Sequence, residues 1–277
     1  MLRPDPGGVT MKAGFIQFNP SFGDIDHNLK VLAAFTEGID CDLLVLPELC
    51  TTGYLFVSPD EVASLSEEIP EGRTTEALSV MAQKAQCHIV AGLPERCGDF
   101  FYNSCVLISP KGYVGTYRKV HLFFEENRWF QPGDGDFPVY DIGPCRIGLM
   151  ICFDWIFPEV ARSLALKGAD ILCHPSTLVL PFCQQVMLTR CLENRVFAVT
   201  ANRTGTESRG TRTLTYTGQS QIAAPDSSIL HRSDDTTEGV TVVDIDITMA
   251  RNKNVTEFNN IFADRRPEFY RNLGPST

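Results

Sequence analysis

Apolar runs of strand length alternate with amphipathic stretches of helix length along most of the chain. The apolar runs predict strands at residues 12–18, 42–46, 87–93, 106–108, 113–120, 147–151, 170–174, 196–201, 215–224, 228–231 and 240–245. Apolar residues at helical spacing predict helices directly after Asp24 and over residues 74–86, 158–167 and 181–195. Helices before and between the strands indicate an α/β fold in which helices cover sheets.

The alternation runs on without a repeat, a linker or a low-complexity block, so we expect a single domain over residues 11–277. Residues 1–10 predict a flexible leader that lacks the apolar core of a signal peptide. No apolar run approaches the roughly 20 residues that are needed to cross a bilayer. These features favour a cytoplasmic protein.

The composition supports a full hydrophobic core and argues against polyanionic partners. Hydrophobic residues make up 43% of the chain, a share that is typical of globular proteins. The formal net charge is −10, which disfavours binding to nucleic acid or to an anionic membrane surface.

The cysteines and histidines indicate neither a disulfide framework nor a metal site. The chain has 10 cysteines and 5 histidines, with no Cys-x-x-Cys spacing and no paired histidines. Several cysteines lie inside apolar strand patterns, which fits reduced thiols in a cytosolic protein. The cysteines are residues 41, 50, 87, 97, 105, 145, 152, 173, 183 and 191.

The clearest candidate for chemistry is Cys152, directly after the predicted strand 147–151. A helix is predicted to begin near Pro158, so the thiol lies between a strand end and a helix start, where open α/β folds bind ligands. A nearby helix N-terminus also favours the thiolate. A small buried core residue is the competing interpretation, and position alone does not separate the two.

Two charged residues lie at the ends of other apolar strands. Glu48 follows strand 42–46, and Lys119 lies at the end of strand 113–120. Burying an unpaired carboxylate or ammonium costs several kcal/mol, so such residues are normally paired or functional. If these strands run parallel in one sheet, we expect Glu48, Lys119 and Cys152 to meet at the same edge.

On these residues the chain resembles the nitrilase superfamily of carbon–nitrogen hydrolases, in its amidase/nitrilase-like branch. The similarity extends from Met11 to about Tyr270, and Glu126 aligns with a second glutamate near the family's active site. The matching segments occur in the family's order: 46–54 (LPELCTTGY), 117–122 (YRKVHL), 152–159 (CFDWIFPE), 192–194 (LEN), 201–205 (ANRTG) and 218–222 (GQSQI).

The resemblance implies a four-layer α-β-β-α sandwich that dimerises into a longer layered sandwich. It places the C-terminal tail, about residues 251–277, in the dimer interface. It implies no metal and no organic cofactor. The implied partners are a small-molecule amide or nitrile and further copies of the chain, in a homodimer or a higher homo-oligomer.

The resemblance also implies the roles of the catalytic residues. Cys152 attacks the substrate and forms a thioester, and Glu48 accepts the cysteine proton. Lys119 and the backbone N–H of Phe153 hold the oxyanion. Glu126 orients Lys119 or the substrate nitrogen, with a solvated surface carboxylate as the alternative. The predicted reaction cleaves a non-peptide carbon–nitrogen bond and releases ammonia or an amine.

Two competing interpretations stay open at this point. In the first, the enzyme is of the Cys–His type, with His121 or His174 as the base. In the second, the chain is a non-catalytic assembly or binding member of the superfamily. The joint presence of Glu48, Lys119 and Cys152 argues against the second interpretation.

The substrate is less well defined. Relatives that act on carboxylate substrates place arginine three or four residues after the cysteine, where this chain has Trp155 and Ile156. Arg190 and Arg195 are other candidate anion binders, but Arg190 and Glu193 have the spacing of a helix ion pair. We therefore expect a neutral, apolar or amine-bearing substrate, with an amide favoured over a nitrile or an N-carbamoyl amine. The candidate lining residues are Tyr54, Trp155, Leu178 and Phe182.

Overall fold

The computed structural model describes residues 8–270. The strands are β1 (Thr10–Gln17), β2 (Leu43–Val45), β3 (His88–Cys97), β4 (Phe100–Ser109), β5 (Gly112–Arg118), β6 (Val139–Asp141), β7 (Arg146–Leu149), β8 (Ile171–Pro175), β9 (Phe197–Ala201), β10 (Thr206–Arg209), β11 (Arg212–Thr215), β12 (Gln221–Ala223), β13 (Ile229–Arg232) and β14 (Gly239–Asp246). The helices are α1 (Ile25–Thr36), α2 (Pro59–Leu65), α3 (Arg73–Ala85), α4 (Pro158–Leu166), α5 (Cys183–Asn194) and α6 (Thr248–Arg251). Short 3₁₀ turns occupy Phe124–Arg128, Cys152–Ile156 and Pro267–Phe269.

The first large sheet has the strand order β14-β1-β2-β3-β4-β5. β1, β2 and β3 are parallel, and β4 returns antiparallel to β3 before β5 resumes the first direction. The carboxyl ends of β2 and β5 therefore lie at the same edge. Asp24 begins α1 as predicted, since its side chain accepts a hydrogen bond from the His27 N–H at 3.0 Å.

The second large sheet has the order β13-β12-β9-β8-β7-β6, with β7, β8 and β9 parallel. A bridge between Phe18 and Arg203 joins the ends of β1 and β9. The two sheets thus present their carboxyl ends on the same side of the molecule. β10 and β11 form a separate hairpin.

Alternate residues along the strands of the first sheet pack on opposite faces. Ile16 and Leu44 pack outward against α1 and α3, which contribute Leu32 and Leu78. Phe15 and its inward-facing neighbours instead join the core that includes the second sheet, α4 and α5. The layers are therefore helices, sheet, sheet and helices, and the predicted four-layer sandwich is confirmed.

The prediction that the three strand ends share one sheet is wrong. Glu48 and Lys119 follow strands of the first sheet, whereas Cys152 follows β7 of the second. The groups come together because the two sheets pack face to face with their carboxyl ends on the same side.

Most predicted elements are present with shifted ends. β3 and β4 are longer than predicted because they pair along their length as a hairpin. The predicted strand 215–224 is divided, since β11 ends at Thr215 and β12 begins at Gln221. The sequence pattern did not predict α2, β6 or β10.

The chain ends differ in part from the prediction. β1 begins at Thr10, within the predicted leader, because Thr10 pairs with Asp246 of β14. Residues 1–7 and 271–277 lie outside the described residues. Within the tail, Phe258 is 83% exposed and Phe269 is 71% exposed. The placement of the tail in a dimer interface stays a prediction.

Candidate active site

Glu48 lies on a short turn after β2 that is fixed to β3. The Gly92 N–H donates to the Pro47 carbonyl at 3.1 Å, and the Cys50 N–H donates to the Gly92 carbonyl at 2.9 Å. A Cβ at position 92 would lie only 2.5 Å from the Glu48 Cα, so glycine is required for this approach. The turn holds the Glu48 side chain fully buried.

Lys119 follows β5 and is fixed on both sides by its backbone. Its N–H donates to the Asn103 carbonyl, and its carbonyl accepts from the Gly133 N–H, both at 2.8 Å. Its Nζ lies 2.7 Å from Glu48 Oε1 and 2.8 Å from Glu126 Oε1. An ammonium between two carboxylates meets the requirement that buried charges be paired.

Glu126 lies in the 3₁₀ turn Phe124–Arg128 and is buried, so the alternative of a solvated surface carboxylate is wrong. Besides Lys119, two groups donate to it. The Tyr54 hydroxyl donates to Oε1 at 2.8 Å, and Asn103 Nδ2 donates to Oε2 at 3.4 Å. Glu126 is therefore part of the same buried network as Glu48.

Glu48 has two more donors that the sequence analysis missed. Asn103 Nδ2, in β4, donates to Glu48 Oε1 at 2.7 Å. The Thr177 hydroxyl, after β8, donates to Glu48 Oε2. Both side chains are buried, and buried polar groups are normally hydrogen-bonded, but the sequence alone does not show that burial.

Cys152 opens a strained turn. Its φ is +38°, in the left-handed region that costs energy for a residue other than glycine. The buried carboxylate of Asp154 accepts from the Ile151 N–H at 2.9 Å and from the Tyr117 hydroxyl at 2.8 Å. Since Tyr117 belongs to β5, these bonds fix the cysteine turn to the first sheet.

The electrostatics of the site favour a protonated thiol and an ionised carboxylate. Burial and the Glu48 charge raise the pKa of the Cys152 thiol well above its usual value, although Lys119 acts to lower it. Burial acts to raise the pKa of Glu48 as well, but Lys119 and the hydroxyl and amide donors bring it below its usual value. At neutral pH a thiol therefore faces a carboxylate.

The other two charged groups have shifted pKa values of their own. Burial raises the pKa of Glu126 to about 7, and the neighbouring Glu48 charge adds to the effect. Burial disfavours the Lys119 ammonium, but the two carboxylates outweigh burial and raise the pKa of Lys119 above its usual value. Lys119 therefore stays charged over the physiological range.

A narrow cleft lies beside Cys152 and Phe153. Its lining is mainly apolar, and no arginine or lysine from residues 8–270 contributes to it. The described lining therefore supplies no cation that could pair with a substrate carboxylate. The apolar lining residues are Phe123, Trp155, Leu178, Val179 and Leu180.

The structure brings together only some of the predicted substrate residues. Trp155 and Leu178 line the cleft. Tyr54 instead lines a second small cavity, together with Glu126. Phe182 is 58% exposed before α5 and is not among the residues that line either space. The oxyanion role of the Phe153 N–H stays a prediction.

Neither candidate histidine is hydrogen-bonded to the cysteine thiol. His174 Nε2 lies 2.9 Å from the carbonyl oxygen of Cys152, and burial lowers the pKa of His174 to about 4. His121 Nδ1 lies 2.7 Å from Asp154 Oδ1, and its ring stacks on Phe157 with centroids 3.7 Å apart. Both histidines thus support the backbone around Cys152, which does not favour the Cys–His interpretation.

The two candidate anion-binding arginines have other partners. Arg190 forms an ion pair with Glu193 at 3.1 Å, as its spacing predicted, and Arg195 donates to the Asn252 carbonyl at 3.1 Å. Within residues 8–270, no group of three or more His, Cys, Asp or Glu residues is arranged to hold a metal ion. No helix of that part of the chain is long and apolar enough to span a membrane.

Comparisons with known proteins identify the family of this chain. A family model described as carbon-nitrogen hydrolase matches residues 12–254. A Pyrococcus abyssi protein named nitrilase is 44% identical over 265 residues, covering 94% of this chain and 99% of the relative. An (R)-stereoselective amidase from a Pseudomonas species is 34% identical, covering 79% of this chain and 80% of the relative.

A solved structure shares the fold along nearly the whole chain. The carbon-nitrogen hydrolase from Helicobacter pylori G27 matches with a TM-score of 0.86 at 26% identity, covering 95% of this chain and 98% of that one. The chain therefore belongs to the carbon–nitrogen hydrolase family, within the nitrilase superfamily, and is a carbon–nitrogen hydrolase.

Proposed function

We propose that this enzyme hydrolyses a small amide through a thioester on Cys152, with Glu48 as base and with Lys119 and Glu126 completing the site. The observation that carries the proposal is the buried Glu48–Lys119–Glu126 network, whose charges act on the Cys152 thiol. Burial of three charges at one edge of a core is costly, which supports a chemical rather than a structural role.

The hydrogen bonds of Glu48 support its role as the base. A carboxylate has about four acceptor positions, two on each oxygen. Oε1 accepts from Lys119 and Asn103, and Oε2 accepts from Thr177. One position on Oε2 is left for the proton of Cys152.

The hydrogen bonds of Lys119 support its role in stabilising the oxyanion. An ammonium has three N–H donors, and two of them point to Glu48 and Glu126. The third is left for an oxygen that becomes negative during the reaction. The Phe153 N–H is the second proposed donor, and one such donor typically contributes about 3–4 kcal/mol to transition-state stabilisation.

The proposed reaction balances without a cofactor. Glu48 takes the thiol proton, and the sulfur adds to the amide carbon while the C=O pair moves onto oxygen. As the carbonyl reforms, the C–N bond breaks, and the nitrogen leaves as ammonia or an amine with the proton from Glu48. Water then gives its proton to Glu48, adds to the thioester, and releases the acid and the Cys152 thiol.

The cleft supports a neutral substrate with an apolar acyl group. Phe123, Trp155 and Leu178 offer apolar contacts, and the lining from residues 8–270 supplies no cation for a carboxylate. An N-carbamoyl amine also satisfies this condition. A nitrile is the other candidate, because the Pyrococcus abyssi relative carries the name nitrilase.

Ammonia release from a panel of substrates tests the proposal. The panel contains aliphatic amides, dinitriles, carbamoyl amines and carbamoyl amino acids, each with wild type, Cys152→Ala and Cys97→Ser. Cys97 is the exposed cysteine, so its replacement controls for loss of a thiol away from the site. We expect turnover of apolar amides by wild type and Cys97→Ser alone. Preference for carbamoyl amino acids would contradict the substrate class, and turnover by Cys152→Ala would contradict the mechanism.

A further inference from the structure

The side chain of Asn103 joins the two carboxylates of the site. It lies in β4, is fully buried, and directs its amide nitrogen to both acids. Nδ2 lies 2.7 Å from Glu48 Oε1 and 3.4 Å from Glu126 Oε2. An amide nitrogen has two N–H donors, so each carboxylate receives one of them.

The amide oxygen of Asn103 shows what fixes this orientation. Oδ1 is buried and has no hydrogen-bond partner among residues 8–270. Leaving a buried carbonyl unpaired costs about 1–3 kcal/mol. Rotating the amide would place Oδ1 against two carboxylate oxygens and remove both donors. The hydrogen bonds from Asn103 Nδ2 to Glu48 and Glu126 therefore outweigh the cost of leaving Oδ1 unpaired.

We propose that Asn103 is a positioning residue for the hydrolase reaction: it holds Glu48 and Glu126 at a fixed separation and leaves one lone pair of Glu48 Oε2 for the Cys152 proton. The inference rests on the proposed role of Glu48 as the base. Asn103 acts through the carboxylates rather than on the substrate.

The charge balance explains why a bridge is needed. Glu48 and Glu126 both contact the single Lys119 ammonium, and no other cation from residues 8–270 is hydrogen-bonded to either. Like charges in a buried site repel. Among the described residues, Asn103 and Lys119 are the groups that donate to both carboxylates, so loss of Asn103 leaves only Lys119 to hold them together. Besides Glu48, Lys119 and Glu126 themselves, the ionisable groups that interact electrostatically with this network are Tyr54, Cys105, Cys152, His174 and Tyr216.

The rate of Cys152 alkylation by iodoacetamide as a function of pH tests the inference without a known substrate. All variants carry Cys97→Ser, so that the exposed thiol does not contribute. Asn103→Leu removes the bridge at similar volume. Asn194→Leu is the matched control, since Asn194 is equally buried, donates through Nδ2 to the Arg190 carbonyl and also has an unpaired Oδ1.

We expect Asn103→Leu to slow alkylation at least tenfold, given that misplacing a catalytic group by about 1 Å can cost roughly 100-fold. The alkylation rate of the Asn194→Leu control should stay within about twofold of the wild-type rate. A smaller fall in Asn103→Leu, or an equal fall in both variants, contradicts the inference.

Asn103→Asp supplies an independent readout in case the leucine variant does not fold. It replaces the donor with a third acid, which raises the pKa of Glu48 by like-charge repulsion. The acid limb of the alkylation profile should move upward by about one pH unit. An unchanged limb overturns the positioning role.

Glu48→Gln separates this inference from the proposed function. If Glu48→Gln alkylates as fast as wild type, Glu48 is not the base and the proposed function fails. If Glu48→Gln is slow but both Asn103 variants behave like wild type, only the role of Asn103 fails.

Discussion

Lys119 and Glu48 form an ion pair of 2.7 Å in which neither side chain is exposed to solvent. Removing both charges from water costs more than a surface pair does, and buried pairs are often no better for stability than apolar side chains. The pair lies beside Cys152, where its charges act on the thiol. The proposed mechanism accounts for this position, whereas a gain in stability does not.

Lys119→Met should unfold more easily than wild type. The change leaves the carboxylates of Glu48 and Glu126 buried without a cation, and breaking a buried pair in this way typically costs about 3–5 kcal/mol. The free energy of unfolding from urea titration at pH 8 measures the effect. Lys111→Met, at an exposed position, is the control. Equal stability of the two variants would contradict the charge balance described here.

Glu48→Gln should lower kcat by a factor of about 100 to 10,000, the usual contribution of a positioned general base. The amide keeps the shape of the side chain but does not accept the thiol proton. Glu95→Gln is the matched control, because Glu95 is also buried and ion-paired, to Arg118 in the first sheet, and lines no part of the cleft. A comparable kcat loss in both variants would mean that burial, not base catalysis, explains the effect.

Glu126→Gln should gain stability relative to wild type as the pH rises. Burial raises the pKa of Glu126 from 4.5 to about 7. As the pH rises, the Glu126 carboxyl therefore ionises in the unfolded chain before it ionises in the folded protein. In wild type, protonated Glu126 makes its full contribution to the free energy of unfolding below about pH 4.5, and this contribution is lost as the pH rises to about 7. The free energy of unfolding falls over this window by at most about 1.4 kcal/mol per pH unit.

Urea unfolding of wild type and Glu126→Gln from pH 4 to pH 8 measures this difference. The difference should grow across the stated window and level off above it. A difference that shrinks with rising pH would show that Glu126 is stabilised as a carboxylate in the folded protein, opposite to this account.

His121→Asn should keep most of the activity. His121 bonds to Asp154 and stacks on Phe157, and neither contact involves the thiol. We expect kcat/KM within about tenfold of wild type, since losing a general base typically costs at least 100-fold. A larger loss of kcat/KM, together with disappearance of the acid limb from the pH dependence of kcat/KM, would restore the Cys–His interpretation.

The positions of Glu48, Lys119 and Cys152 could be predicted because each one ends an apolar strand, where a polar group is easy to recognise. The sheet to which each strand belongs could not. An apolar run indicates burial but does not specify its neighbour, so the assignment of each strand to one of the two sheets emerged only in the structure.

Asn103 was missed for a related reason. The predicted strand began at residue 106, whereas β4 begins at Phe100, because the aromatic and polar residues at its start lack a regular alternation. Asn103 was therefore placed outside the sheet. Phe182 shows the opposite problem: its aromatic character suggested a pocket residue, but residue type does not give the direction of a side chain.

The most direct test of the account is the intact mass of the enzyme, quenched in acid during turnover of an amide that the substrate panel identifies. We predict a transient mass increase equal to the acyl group minus one hydrogen, located on the peptide that contains Cys152 and absent from Cys152→Ala. Turnover in which Cys152→Ala remains active and no adduct forms would contradict the thioester mechanism.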